Sequence, residues 1–419
     1  MLNLKNICLY LIFVLSLFVG FIFQENASGG AKIDHDFFQT YINYFYLDFE
    51  TGLKKFLENP STIIQLPVFY ILISFFYKIF DNLIIVKLSY ILISSSLPFF
   101  FYLILKKKFK FNNNILFFLS LIIFLSPYFR SSSIWLLGDN LSLIFISLSI
   151  LFFLKFKDSK KILDIYLCFV FLILCSYIRH YYSFFIFYYI FHIYKNISSK
   201  HFIYLLIFSF LLSLPAAFYL KYIIINYNFI ETISSFSNIN YFTSTFIIST
   251  IILFYLIPFV IDKELTILHY YKKRPQTLLI ISLITFLIYV IDYLFFQSLI
   301  VFPKNGGGVF IKLIYKINPI FRETLLFVLF LISLLVIDFV FSNNRTSNYL
   351  LLLILFISLP FEVIYQKYLD PLFYLLIFGL INSSFINDII MKKVISLKLV
   401  YTYFSFFYLF SIFYYLNLT

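Results

Sequence analysis

Two aspartates that could do acid–base or metal chemistry stand close together near the N-terminus. Asp34 and Asp36 flank His35, directly after a Gly-Gly pair. If this stretch is extended, both carboxylates point to the same side. They could then share a divalent cation, Mg²⁺ or Mn²⁺, through oxygen ligands, or one could take a proton from a sugar hydroxyl while the other orients it. A solvated acidic loop is the alternative for so short a motif.

A third acidic candidate follows the only tryptophan of the chain. Asp139 comes four residues after Trp135, at the start of an apolar run. An amphipathic indole ring settles at a membrane–water interface, which explains Trp135 without a function. Asp139 could cap the helix that the apolar run predicts, or it could contribute a carboxylate to a site, and both interpretations stay open.

Basic groups that could hold a phosphate occur in two further places. Arg179 and His180 end an apolar run, where the guanidinium could reach toward water or clamp a phosphate with two hydrogen bonds. The segment 297–323 is basic and carries Gly-Gly-Gly between Lys304 and Arg322. Basic groups over a Gly-rich turn suit a phosphate or diphosphate, although non-specific attraction to anionic lipid is a competing account.

The composition indicates which kind of scaffold positions these groups. The chain of 419 residues is 62% hydrophobic and 12% charged, whereas soluble domains are about 45–50% apolar and about 25% charged. Lipid must solvate part of this apolar surface, so we expect an integral membrane protein without a sizeable soluble domain. The net charge of +13 then reflects Lys and Arg in loops that face the cytoplasm rather than a nucleic-acid partner.

The apolar runs predict an all-α, polytopic bundle with about thirteen spans in a single transmembrane domain of residues 1–419. Two of the runs are short enough to be half-helices. The expected spans are 4–23, 83–105, 114–129, 141–156, 162–179, 183–194 (short), 202–220, 243–261, 277–296, 324–341, 348–361 (short), 370–385 and 398–416.

Residues 62–80 decide the expected topology, because they are apolar enough to span. If they do not cross, 19 of the 32 Lys and Arg residues lie in the cytoplasm with the N-terminus. If they do cross, only about 10 remain there, so the positive-inside rule favours the first arrangement. Residues 24–82 then form a first outer loop with interfacial helices. The bias toward Phe, Tyr, Ile, Lys and Asn indicates an AT-rich bacterial genome, and hence the inner membrane.

This arrangement resembles the GT-C glycosyltransferase superfamily, membrane enzymes that use polyprenyl-phosphate sugars. In that superfamily a first span leads into an outer loop with an acidic pair, here Asp34 and Asp36, and Asp139 matches a later outer acid. The run Pro-Val-Phe-Tyr-Ile-Leu at 67–72 is similar to an aromatic segment of aminoarabinose and mannosyl transferases. The outer turn of the glucosyltransferases that use dolichyl-phosphate glucose is matched here by Glu362, Lys367, Tyr368 and Pro371, with Lys where that family has Arg.

The resemblance implies an inverting transfer of a sugar from a polyprenyl-phosphate donor to a glycan or lipid-linked acceptor at the non-cytoplasmic face. It implies Asp34 or Asp36 as general base or metal ligand, Asp139 as a further acid, and a basic residue such as Arg179 or Arg322 on the donor phosphate. His180, Lys304, Glu362, Lys367 and Tyr368 would line the substrate site. The sequence also admits a polymerase or ligase of surface polysaccharide and, third, a transporter or flippase.

Overall fold

The computed structural model describes eight stretches of the chain, and every regular element within them is a helix. Several of these helices are long and apolar, so the chain is an integral membrane protein with a polytopic helical architecture. Contacts divide it into two compact units, Met1–Thr232 with Tyr401–Thr419 (unit 1) and Ile233–Val400 (unit 2). The described residues are 4–58, 66–109, 114–226, 240–296, 306–317, 319–360, 364–391 and 396–416.

Unit 1 contains the N-terminal helices and most of the last helix. They are α1 (Leu4–Ile22), α2 (Ala31–Leu47), α3 (Phe49–Leu57), α4 (Val68–Phe80), α5 (Leu83–Phe109), α6 (Asn114–Leu121), α7 (Pro127–Ile134), α8 (Gly138–Ser159), α9 (Ile162–Ile178), α10 (Phe185–Ile193), α11 (Ser199–Asn226) and, after unit 2, α20 (Leu397–Leu416).

In the residues that the structure describes, unit 2 contains eight α-helices between α11 and α20. They are α12 (Tyr241–Val260), α13 (Glu264–Lys272), α14 (Pro275–Ile291), α15 (Gly308–Tyr315), α16 (Pro319–Phe341), α17 (Arg345–Ser358), α18 (Leu372–Gly379) and α19 (Ser384–Met391). Its core is α12, whose apolar residues are buried on all sides by the helices around it.

The described helices give fewer spans than the thirteen expected. Eight are long and apolar enough to cross a membrane, or up to ten if two bent pairs each count as one span. The difference arises because some apolar runs form short helices: α10 has 9 residues and α17 has 14. A helix of 14 residues is about 21 Å long, against a hydrocarbon core of about 30 Å.

One bent pair has a clear cause in the sequence Leu-Ser-Pro-Tyr at 125–128. The helix that starts at Asn114 tightens into a 3₁₀ turn over Ile122–Leu125 and the chain then bends by 64°. Pro127 occupies the first turn of α7, where its missing N–H costs nothing. The hydroxyl of Ser126 accepts a hydrogen bond from the Phe129 amide at 3.0 Å and so caps the new helix.

In the segment 24–82, which was expected to form a first outer loop with interfacial helices, the described residues fold into α2, α3 and α4. Ala31, His35, Phe38, Ile42 and Phe45 form the buried stripe of α2, a spacing that gives one continuous helical face. The stripe packs on α4 and on residues of α5 and of the segment before α8. Because α4 has 13 residues and begins after Pro67, it is about 20 Å long and too short to span.

The interior of unit 1 is formed by α5, α8 and α9. Small polar side chains let α8 and α9 approach closely, as in membrane bundles generally. The Ser149 hydroxyl donates to the Cys168 carbonyl at 2.9 Å, and the Cys175 thiol donates to the Ser142 carbonyl at 3.1 Å. This packing holds the start of α8 beside the end of α9.

Candidate functional site

Asp34 and Asp36 lie on a helix, so the expectation of an extended stretch is wrong. Both belong to α2, which begins immediately after Gly30. Each residue of an α-helix is rotated by about 100° from the one before, so side chains two residues apart point to nearly opposite sides of the helix. Asp34 is half-buried on the flank of the buried stripe, and Asp36 is exposed on the opposite side. The helix forms because burying His35 with Phe38 and Ile42 favours a 3.5-residue spacing.

The helical geometry does not fit a cation shared by Asp34 and Asp36, because their carboxylates diverge. In the part of the chain that the structure describes, no group of three or more His, Cys, Asp or Glu side chains is arranged to hold a metal ion.

Asp36 is within electrostatic range of the first turns of α5. Its carboxylate interacts electrostatically with Lys87, and the Lys87 ammonium is 5.9 Å from the centre of the Trp135 ring. The His35 ring lies on the same side, 6.0 Å from the Trp135 ring between centroids. A carboxylate, an ammonium and two aromatic rings therefore form one corner of unit 1.

His35 is neutral at physiological pH. The residue is 2% exposed. Burial and, second, the charge of Lys87 lower the pKa of His35 to about 4, against the opposing effect of the Asp36 carboxylate. His35 can therefore position its neighbours through shape and packing, but it does not bring a positive charge to a phosphate at pH 7.

Asp139 pairs with Arg179 and does not cap its helix. The N-cap of α8 is Leu137, which places Asp139 in the first helical turn. Nη2 of Arg179 lies 2.8 Å from Oδ1 and 2.8 Å from Oδ2 of Asp139. Both side chains are 16% exposed. The guanidinium at the end of α9 is therefore held in place by a carboxylate rather than extended freely toward water.

Helix α5 carries side chains that interact electrostatically with both acidic groups. The Tyr90 hydroxyl donates to the Leu137 carbonyl, and Tyr90 interacts electrostatically with both Asp139 and Arg179. Lys87, the neighbour of Asp36, is three residues before Tyr90, so the two side chains are about 5–6 Å apart at Cβ. Asp36 and the Asp139–Arg179 pair thus each interact electrostatically with a side chain of α5, at two positions three residues apart.

An apolar cluster fixes these elements against one another. Phe38 of α2, Phe69 of α4, Trp135, Leu137 and Ile178 are all members of it. Leu137 precedes Asp139 by two residues and Ile178 directly precedes Arg179. A Cβ added to Gly138 would lie 3.0 Å from Ile178 and 3.4 Å from Phe69, so this glycine permits the close approach. The site residues are therefore positioned by tight packing.

Buried polar groups hold the turn that precedes α8. The side-chain amide of Asn140 donates to the Phe129 carbonyl at 2.9 Å and to the Ser133 hydroxyl at 2.8 Å. The Asn140 backbone amide donates to Ser132 at 3.2 Å. These bonds fix the turn from α7 into α8 and with it the position of Asp139.

A second, deeper ion pair supports the same corner. Arg130 donates to Glu25 through Nε at 2.8 Å and through Nη2 at 2.6 Å, and its side chain is 5% exposed against 9% for Glu25. The Tyr408 hydroxyl donates to Glu25 at 2.9 Å, and Trp135 Nε1 donates to the Glu25 carbonyl at 2.7 Å. This pair anchors Trp135 between α1, α7 and α20.

His180 adjoins Arg179 in a short 3₁₀ turn, 180–184. Burial and the adjacent guanidinium lower the pKa of His180 to about 4. Like His35 it is neutral at pH 7, so of these two adjacent residues only Arg179 carries a positive charge for a phosphate.

In unit 2 the Gly-rich turn packs on the polar turn at 364–370. The Gly307 amide donates to the Ile364 carbonyl at 2.8 Å. Gln366, 3% exposed, accepts from the Val309 amide at 3.1 Å and donates to the Tyr255 hydroxyl at 3.0 Å. Gly308 has a φ of +77°, and a Cβ there would lie 2.8 Å from Ile251. The two outer features expected from the sequence therefore contact each other.

The remaining basic candidates have local partners in unit 2. The Arg322 guanidinium lies 4.5 Å from the centre of the Tyr315 ring and donates to the Tyr315 carbonyl at 3.2 Å, which satisfies the end of α15. Lys367 lies 5.6 Å from the Tyr365 ring, whose centroid is 6.0 Å from that of Tyr368. Lys304 and Glu362 lie outside the described residues.

Comparison with protein-family models, with curated proteins and with solved structures finds no match to this chain. The candidate site therefore rests on its own residues.

Lys87, Tyr90 and Glu25 are important groups that sequence reasoning missed. Lys87 could have been noticed as a cation in the first turn of a span at the predicted outer end, next to the acidic loop. Tyr90 carries no signal in a chain with 36 tyrosines. Glu25 ends the first apolar run, but its partner Arg130 is 105 residues away in sequence, so only folding reveals the pair.

Proposed function

We propose that the protein is a membrane glycosyltransferase that moves a sugar from a polyprenyl-phosphate donor to a glycan or lipid-linked acceptor on the non-cytoplasmic face. The observation that carries the proposal is that Lys87 of α5 interacts electrostatically with Asp36, while Tyr90, three residues later on α5, interacts with Asp139 and Arg179, which form an ion pair. A carboxylate and a fixed guanidinium supply the two functions that such a transfer needs. The resemblance to the GT-C superfamily supports the same reaction.

Asp36 is the better general base of the two loop acids. Its side chain is exposed, whereas Asp34 is half-buried on the other flank of α2. In the reaction, Asp36 takes the proton of the acceptor hydroxyl as its oxygen bonds to the anomeric carbon. The bond from that carbon to the phosphate oxygen breaks, and polyprenyl phosphate leaves with both bonding electrons. Proton transfer of this kind contributes about 10²–10⁴-fold.

Arg179 is the group that would neutralise the leaving phosphate. Its Nη2 pairs with Asp139, and the planar guanidinium fork matches the geometry of a phosphate. Asp139 acts as its positioning residue, since the carboxylate fixes the fork before the donor arrives. Lys87 would add a second positive charge on the side of Asp36.

The test compares Asp36→Asn with Asp34→Asn in purified protein given labelled polyprenyl-phosphate hexose. Both substitutions remove one carboxylate from the same helix without changing side-chain size. We expect transfer to fall by about 10²–10⁴-fold for Asp36→Asn and to stay within about threefold of wild type for Asp34→Asn. Equal activity of the two variants would remove Asp36 as the base.

A polymerase or ligase of surface polysaccharide is the second candidate, favoured by the fixed Arg179 and by the basic Gly-rich turn of unit 2. Such an enzyme would rely on the arginine and not on the acidic residue. Full polymer synthesis by Asp36→Asn together with loss in Arg179→Gln would favour it over the transferase. Unchanged activity on addition of EDTA would show that neither reaction needs a divalent cation here.

A further inference from the structure

A separate set of polar groups surrounds Asp338 near the end of α16, in unit 2. Asp338 is 3% exposed. Its Oδ2 accepts hydrogen bonds from the hydroxyls of Tyr271 at 3.1 Å and Tyr270 at 3.2 Å, and its Oδ1 accepts one from Tyr349 at 2.5 Å. The buried carboxylate is therefore satisfied by three hydroxyls from α13 and α17.

Two arginines from different helices meet at one of these hydroxyls. Arg274, directly before α14, donates from Nη1 to Tyr270 at 2.9 Å, and its guanidinium lies 4.6 Å from the centre of that ring. Arg345, the first residue of α17, donates from Nη2 to Tyr270 at 3.0 Å and lies 3.4 Å from Asp338. A hydroxyl has one proton and two lone pairs, so Tyr270 uses all of them here.

The cluster carries more positive charge than its carboxylate balances. Two guanidiniums accompany one aspartate, and the exposed Lys272 and Lys273 precede Arg274 in the chain. Among the described residues, Arg274 and Arg345 each use a single nitrogen for hydrogen bonds to protein. Each guanidinium has five N–H donors, and the Arg345 side chain is 42% exposed. The two guanidinium groups are thus held next to each other, and each has further N–H groups that can donate to a ligand.

The position of Arg274 adds an apolar surface to this basic one. Helix α14 begins at the next residue and is a candidate membrane span with 17% of its apolar window buried. Leu279, Leu283 and Phe286 are 61%, 52% and 55% exposed, and their spacing of four and three residues places them on one face. A molecule whose anionic group sits at Arg274 could lay hydrocarbon chains along this stripe.

We propose that Arg274 and Arg345 bind the phosphate of an anionic phospholipid, with its acyl chains along α14. The two guanidiniums give bidentate hydrogen bonds to the phosphate oxygens, and Asp338 with its tyrosines keeps both forks in place. The site is distinct from the proposed active site and takes a lipid that is neither donor nor acceptor. A phospholipid satisfies both halves of the surface, whereas free phosphate satisfies only the basic half.

The test measures binding of fluorescent phosphatidylglycerol to the full chain in detergent. Arg274→Gln/Arg345→Gln is compared with Lys272→Gln/Lys273→Gln, which removes the same two charges from adjacent, exposed positions. We expect at least a tenfold loss of affinity in the arginine variant and less than a twofold loss in the lysine variant. Equal losses would show diffuse attraction to the basic loop and overturn the proposal.

Two further arms identify the ligand and guard against misfolding. If phosphatidylcholine bound as tightly as phosphatidylglycerol, the site would not require an anionic lipid. If inorganic phosphate at equal concentration displaced the lipid, the ligand would be free phosphate and not a phospholipid. If Arg274→Gln/Arg345→Gln does not elute as a folded protein, Arg274→Lys/Arg345→Lys carries the test. This variant keeps both positive charges but lacks the planar guanidinium groups, so we expect a severalfold loss of affinity for phosphatidylglycerol. Wild-type affinity in this variant would overturn the bidentate site.

Discussion

Among the described residues, unit 1 contains two carboxylate–arginine pairs at the same corner, and they differ in how deeply they are buried. In Glu25–Arg130 the guanidinium uses three nitrogens, two of them on the carboxylate, and Tyr408 donates to the same carboxylate. In Asp139–Arg179, Nη2 contacts both carboxylate oxygens, and the side chains are more exposed, at 16% against 5% and 9%.

The difference in burial distinguishes an ion pair with a structural role from an ion pair that we propose to bind substrate. A pair that is closed on all sides has no donors left for a substrate, and breaking it leaves a buried charge without a partner. A pair that is more exposed lies nearer to the surface from which a ligand arrives. We therefore expect Glu25–Arg130 to stabilise the corner and Asp139–Arg179 to bind the anion. Four measurements test this distinction.

The largest expected effect is on stability, from Arg130→Gln. The substitution leaves Glu25 buried and charged, with only the Tyr408 hydroxyl and nearby polar groups to solvate it. We expect the free energy of unfolding to fall by about 3–5 kcal/mol, measured as a drop in melting temperature in detergent. The double variant Glu25→Gln/Arg130→Gln should recover part of the loss. A melting temperature within 2 °C of wild type for the single variant would contradict an anchoring role.

Arg179→Gln should mainly affect activity. Its carboxylate partner is 16% exposed, against 9% for Glu25, so we expect a smaller stability loss than for Arg130→Gln. Sugar transfer should fall by about 10–100-fold, because the leaving phosphate loses a charged hydrogen-bond donor. Arg179→Lys should restore the charge but not the fork. The reverse pattern, a large stability loss with full activity, would make this pair a second anchor.

The buried histidines at the corner predict a pH dependence of stability. The pKa of His35 is about 4 in the fold and near 6.5 in an unfolded chain. Between these values the unfolded chain binds more protons, so stability rises with pH and falls as the pH drops from 7 to 5, by roughly 1–2 kcal/mol.

His35→Phe should lower that slope while keeping a ring beside Trp135. His180 shares the same shift and should supply what remains. Melting curves at pH 5 and pH 7 measure the difference, and an unchanged slope in His35→Phe would show that His35 is protonated in the folded protein.

The smallest effect is expected from Trp135→Phe. The variant loses the hydrogen bond from Nε1 to the Glu25 carbonyl but keeps an aromatic ring beside Lys87. We expect about 1 kcal/mol of lost stability and a modest fall in transfer. Trp135→Ala should cost more, because it also opens a cavity in the cluster that positions Leu137.

The site was predictable in part from local signals. The acids at 34, 36 and 139 and the arginine at 179 stood out as charges at the ends of apolar runs, and the structure brings the elements of all four into one apolar cluster. The conformation of the acidic stretch was not predictable from the D-x-D spacing alone. The buried stripe through His35 and Phe38 overrode it, since a helix buries more apolar surface there than an extended strand.

The sequence by itself determined that this is a helical membrane protein, because its apolar content exceeds what a soluble core can hide and lipid is the remaining solvent. It did not determine where helices break: residues 114–129 were expected to form one span, and the structure bends the chain there at Ser126–Pro127. Only the tertiary structure decided which apolar runs are long helices, which acid lies beside Lys87, and which arginine each carboxylate holds. Those outcomes depend on contacts between residues 40 to more than 100 positions apart, and such pairings arise only when the helices pack.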